Sequence, residues 1–182
     1  MEVSVKEKRL TFLIALTLIV VGVALRLLPH EPNFAPVGAI ALFGGAMLGG
    51  RYALWLPLAI MMSSDLLLGF YTGIEFTWLG FLAVAFLGLL LRRRSLLAKV
   101  GFGAPLGALL FFVISNFGTW LTSGMYEPTL AGFIDCYVAA LPFFRMTLLS
   151  DLFYGTVLFG LQALALYGAR QKLASGQSLH SL

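Results

Sequence analysis

Apolar residues fill long runs of this chain, and short polar breaks separate them. A helix needs about 20 mostly apolar residues to cross a bilayer, within a range of about 17–25. On that measure the runs predict six spans, at 10–28, 35–48, 52–70, 76–91, 100–121 and 145–169. The second is short and rich in glycine and alanine. Proline and glycine punctuate the breaks, as in "LPHEPNFAP", "LGGR", "GFYTG" and "SGMYEPT". The expected fold class is an all-α integral membrane protein, one domain over residues 1–182.

One apolar stretch does not fit a span. Residues 129–144 are too few, hold Asp135, and meet Pro142, which is expected to end a helix there. An amphipathic helix on the outer face is expected instead. The whole connection, 122–144, is longer than the roughly 12–15 residues beyond which loops tend to be functional, so it reads as a lid. Arg145 is then expected to open the last span, and the polar tail 171–182 to be frayed.

Composition sharpens the class. The chain is 60% hydrophobic and 11% charged, against about 45–50% and about 25% in soluble domains. Its basic residues cluster in alternate connections. Lys6, Lys8 and Arg9, then Arg51, then Arg92, Arg93, Arg94 and Lys99, then Arg170 and Lys172 form one set. His30, Glu31, Glu75, Glu127 and Asp135 form the other, which holds no lysine. Basic connections stay cytoplasmic, so both termini are expected inside. The net charge of +4 follows these clusters and gives no reason to expect nucleic acid. The first run resembles a secretory signal, with "GVA" at 22–24 as a cleavage site. At 19 residues it suits a span better than a signal core of about 7–15, so it is expected to stay uncleaved. A single cysteine excludes an internal disulfide and a multi-cysteine metal site.

Polar residues inside a bilayer are functional candidates by default. Asp65, Asn116 and Asp151 each lie six residues inside an outer helix end, roughly 9 Å deep at about 1.5 Å per residue. Ser63, Ser64, Ser115 and Thr119 fall in the same layer, and Arg26 and His30 sit above it. The inner halves are nearly all apolar apart from Gln162. This pattern predicts a cup that opens outward. Each member has a structural alternative. Arg26 and Arg145 can snorkel to headgroups. Asp65, Asn116 and Asp151 can bridge helices, and His30 can be an ordinary loop residue. Four helices with costly residues at one depth favour a site. Tyr71, Trp120, Tyr126 and Phe144 are expected as its apolar walls, although an interfacial aromatic belt accounts for many aromatics here. Cys136 can bind a soft metal, act as a nucleophile with His30 as base, or pack as a small hydrophobe. Gly45–Gly49 and Gly103–Gly107 have helix-packing spacing, within the chain or against a partner.

The blocks "RLLPHEPNFAPVGAIALFGGA", "SSDLLLGFY", "FFVISNFGTWL" and "CYVAALPFFRMTLLSDLFY" resemble the signature blocks of a family of bacterial transport proteins. That family is similar to the substrate-binding S components of energy-coupling-factor vitamin transporters. A more distant resemblance is to BtuM-type vitamin B12 transport proteins, with His30, Asp65 and Arg145 at comparable places. Cys136 departs from that pattern, since a cobalt-binding cysteine belongs near "GFYTGIEFTW" and none stands there. The docking motif A-x-x-x-A of the first helix is also absent: Ile19 follows Ala15 and Val20 precedes Ala24 at that spacing.

The resemblance implies a transport protein of the bacterial cytoplasmic (inner) membrane. Taken with the polar layer and aromatic walls read above, it predicts capture of a vitamin-like, even cobalamin-like, micronutrient through Arg26, His30, Asp65, Tyr71, Asn116, Trp120, Tyr126, Phe144, Arg145 and Asp151. It implies a small-molecule substrate, no cofactor, and either an energising ATPase module or solitary action. The alternatives are a membrane enzyme using Cys136 and a structural or assembly subunit.

Overall fold

The computed structural model describes the backbone of residues 5–179 and the side chains of residues 5–171. Every regular element among the described residues is helical. The helices are α1 (Val5–Leu27), α2 (Val37–Phe43), α3 (Gly50–Leu68), α4 (Ile74–Leu90), α5 (Ala104–Thr122), α6 (Leu130–Ala139) and α7 (Leu141–Leu179). π-helical turns extend α2 over Gly44–Leu48 and lead into α5 over Ala98–Gly103.

The bundle is built around α2. Every residue from Val37 to Phe43 is buried, and α1, α3, α4, α5 and α7 all touch this helix. Small side chains make that central place accessible. A Cβ on Gly45 would strike the Ala85 carbonyl of α4, and one on Gly88 would strike the Leu42 carbonyl of α2. The two backbones therefore meet where both carry glycine. Ile40, Leu42, Leu56, Ile60, Val84 and Phe159 fill the surrounding core. At the end where α3 passes to α4, Gly69 (φ 98°) and Gly73 (φ 83°) take the left-handed conformations that reverse the chain.

Many large apolar side chains face outward, among them Leu66 (70% exposed), Leu67 (71%) and Leu164 (67%). Three helical stretches, Val5–Leu27, Ala98–Thr122 and Leu141–Gln171, are long and apolar enough to cross a membrane. Helices stand at all six expected spans, but the other three fall short of that standard. Val37–Leu48 and Ile74–Leu90 are shorter. In α3, Arg51, Pro57, Ser63, Ser64 and Asp65 dilute the apolar run.

Three sequence expectations change. Pro142 does not end a helix; α7 begins at Leu141, so Pro142 lies in its first turn, where a missing N–H removes no helical bond. The last long helix thus takes in the final residues of the expected lid. The tail expected to fray continues α7 to Leu179, while residues 180–182 lie outside the described residues. Lys99, grouped with the loop cations, is buried, with Nζ 5.9 Å from the Phe159 ring centroid and 3.6 Å from Met47 Sδ.

Candidate functional site

The bundle encloses a cavity of about 550 Å³. Its walls come from one end of the fold: the C-terminal ends of α1, α3 and α5, the N-terminal ends of α2, α4 and α7, and the 122–144 connection. The basic clusters of residues 51, 92–94 and 170 lie at the opposite helix ends.

Two buried carboxylates serve this end differently. Asp65, on α3, is 1% exposed and forms an ion pair with Arg26 of α1 at 2.5 Å. Trp78 Nε1 of α4 donates to its other oxygen at 2.8 Å. Arg26 also donates to the hydroxyl of Ser64, which donates to the Ile60 carbonyl at 2.6 Å. Three helices are tied together there, and the charges of Asp65 and Arg26 cancel.

Asp151, on α7, is 3% exposed and lines the cavity. The backbone N–H of Ala39 in α2 donates to it. Its oxygens lie against Gly38, whose missing side chain leaves room for them. The neighbouring Ser150 hydroxyl donates to the Ala35 carbonyl at 2.9 Å. Ser150 and Asp151 thus hold α7 to the start of the central helix. The described side chains provide Asp151 with no ion pair.

The 122–144 connection covers part of the cavity and is firmly attached. Tyr137 of α6 donates to the Val113 carbonyl of α5 at 2.7 Å, and Trp120 Nε1 donates to the Glu127 carbonyl at 3.0 Å. Rings continue the attachment from Trp120 to Phe133, Tyr137, Phe112 and Phe144, with neighbouring centroids 4.6–5.4 Å apart. Such contacts are worth about 0.5–1.5 kcal/mol each beyond their area. From this connection Met125, Tyr126, Cys136, Ala140, Phe143 and Phe144 reach the cavity.

Residues 6–175 match the model of DUF6580, a family of unknown function. The chain belongs to the DUF6580 family. No curated protein and no solved structure matches it.

In this DUF6580 protein, seven of the ten expected site residues line one cavity: Arg26, His30, Tyr71, Asn116, Tyr126, Phe144 and Asp151. Asp65 stands behind the wall, joined to it through Arg26. Trp120 does not line the cavity; its indole anchors the covering segment instead. Arg145 is exposed and points away from the site. Its position in α7 falls off the inner face that Phe144, Thr147 and Asp151 share at helical spacing.

Two candidates for chemistry also resolve. Cys136 is 2% exposed and donates to the Asn116 carbonyl at 3.6 Å. Burial pushes its thiol above the ordinary range. His30 lies against the carbonyls of Glu31 (2.7 Å) and Arg26 (3.3 Å), so it is not the thiol's partner. Among the described residues no three His, Cys, Asp or Glu side chains converge as a metal site would require.

Sequence reasoning missed Trp78, Thr77, Phe81, Phe111, Phe112 and Thr147. Trp78 and Thr77 had a signal: they follow "GFYTG" by one helical turn and so return toward the depth of Asp65. Tyr71 donates to Thr77 Oγ1 at 2.8 Å across that turn. Phe111 and Phe112 had none, because nothing in an apolar run marks the residue that faces a cavity. The glycine pairs are explained within the chain: Gly45 meets α4, and Gly107 meets Val84.

Proposed function

We propose that this protein is a bacterial inner-membrane transport protein that captures a small, vitamin-like micronutrient from the outer side. In this reading six helices cross the bilayer in an S-component-like bundle, with both termini cytoplasmic. The observation that carries it is the cavity itself: about 550 Å³, within the range of about 300–1,000 Å³ usual for small-molecule sites. It lies at the helix ends away from the basic connections, which the positive-inside rule makes the outer end. The outward-facing leucines support a lipid-covered exterior, since soluble proteins rarely expose apolar surface so widely.

The chain's own residues then divide the work. Asp151, Asn116, Thr147 and Ser115 offer polar contacts, and Phe112, Phe143, Phe144 and Tyr126 offer flat apolar ones. The 122–144 connection acts as the cover. Release to the inside requires the protein to reorient or a partner to drive it. A compact vitamin-like molecule suits the volume; a whole cobalamin would need a wider state of the cup.

The test is uptake. A deletion strain, supplied with defined micronutrients one at a time, should lose growth or accumulation on one of them. The wild-type gene should restore it, and a variant with the cavity filled by Ala140→Trp should not. Unchanged uptake of every micronutrient in the deletion strain would count against transport.

A further inference from the structure

The cavity's charge points to the chemical class of its ligand. Two side chains able to carry a full charge, Arg26 and Asp151, line it. Arg26 is already neutralised by Asp65 at 2.5 Å and engaged by Ser64. Asp151 has the Ala39 N–H, a dipole rather than a cation, and no ion pair among the described residues. With Asp151 ionised, the balance facing the cavity is therefore one negative charge. A buried carboxylate without a counter-charge is expensive, and a cation placed in the cavity relieves that cost.

The rest of the wall suits an organic cation better than a metal ion. Phe81, Phe111, Phe112, Phe143, Phe144 and Tyr126 surround the space. Aromatic faces attract positive charge, and cages of them recognise quaternary ammonium groups. A bare metal ion would want several oxygen ligands in place of such rings. The rim agrees. Glu31, Glu75, Glu127 and Asp135 are all exposed at this end, where Arg145 is the one exposed lysine or arginine among the described residues. A mouth of that sign raises the local concentration of cations.

We propose that the ligand is a compact organic cation, such as an amine, a quaternary ammonium or a heteroaromatic cation, and that Asp151 reads its positive charge while the phenylalanine wall packs its body. The assignment rests on the capture reading above. It makes Asp151 the specificity-determining residue and leaves Arg26 a structural one.

The experiment is a binding panel on the purified full-length protein in detergent, followed by thermal shift and confirmed by calorimetry. The cationic probes are choline, thiamine and 1-methylnicotinamide. The counterparts are 3,3-dimethylbutan-1-ol (the uncharged isostere of choline), pantothenate and biotin; sodium and potassium chloride are tested alone. At least one organic cation should bind, and Asp151→Asn should weaken it by at least about tenfold. Binding confined to uncharged or anionic probes, a response to sodium alone, or equal cation binding by Asp151→Asn overturns the assignment but leaves capture standing. No binding by any probe, together with no co-purifying molecule, overturns capture as well. The comparison of choline with its isostere needs no variant, so poor folding of Asp151→Asn leaves the test decisive.

Discussion

Asp65 and Asp151 are two buried carboxylates at the same end of one bundle, and their surroundings give them opposite tasks. Asp65 is closed off: Arg26 and Trp78 take both of its oxygens, and the three helices they come from are joined by that contact. Asp151 is held from behind by the start of α2 and left open in front, toward a cavity walled by aromatic rings. The first arrangement spends a charge on architecture. The second keeps a carboxyl group available. Burial alone does not separate the two; the number of partners does.

The comparison can be broken in graded ways. The largest expected effect is from Asp65→Ala. It strands Arg26 in a half-buried site, and removing one member of a buried pair costs about 3–5 kcal/mol. Thermal unfolding in detergent should show this loss, and Arg26→Ala should show one of similar size. A loss below about 1 kcal/mol would mean that the pair does not join the helices.

Gly38→Ala comes next. Its methyl group would overlap the Asp151 carboxylate, and overpacking of this kind costs about 1–3 kcal/mol. Ligand binding should fall along with stability, because the carboxylate must move. Asp151→Asn should separate the two properties: a stability change within about 1 kcal/mol, but a binding loss of tenfold or more. Equal losses from Asp65→Ala and Asp151→Asn in both measurements would erase the distinction.

The covering segment offers a pH test. The thiolate is the reactive form of cysteine, and burial in α6 disfavours that charged form at Cys136. Maleimide labelling at neutral pH should therefore be slower than for a free thiol. Its rate should climb with pH along a curve displaced to the alkaline side of an ordinary thiol. Bound ligand should slow it further, since Cys136 lines the cavity. Labelling as fast as an exposed thiol would mean that the cover opens freely.

The smallest effect is expected at Arg145. It is exposed and forms no wall, so Arg145→Ala should change stability by no more than about 0.5 kcal/mol and leave cation binding intact.

Much of this was legible in the chain. Long apolar runs and their glycine and proline breaks located every long helix, because length and apolar content are one-dimensional properties, although α7 runs ten residues past its expected end at 169. The polar layer was legible too: Asn116 and Asp151 do meet in one cavity, since equal distance from a helix end implies similar depth. What failed was azimuth. Arg145 lies six residues from Asp151, and a helix turns 600° over that distance, so a place on the same helix at the same end did not bring them to one face. Partner choice was equally hidden. The chain offered two arginines for Asp65, and only the packing of α1 on α3 selects Arg26. Trp120 read as a wall because aromatic character says nothing of which atom matters; its N–H, bonded to Glu127, decided its place.

The most direct measurement is native mass spectrometry of the full-length protein released from detergent, with wild type, Asp151→Asn and Arg145→Ala compared side by side. The account predicts one added mass, that of a compact cationic molecule, on wild type and Arg145→Ala, and its loss from Asp151→Asn. An added mass of equal occupancy on all three, or none on wild type in a preparation that remains folded, would contradict it.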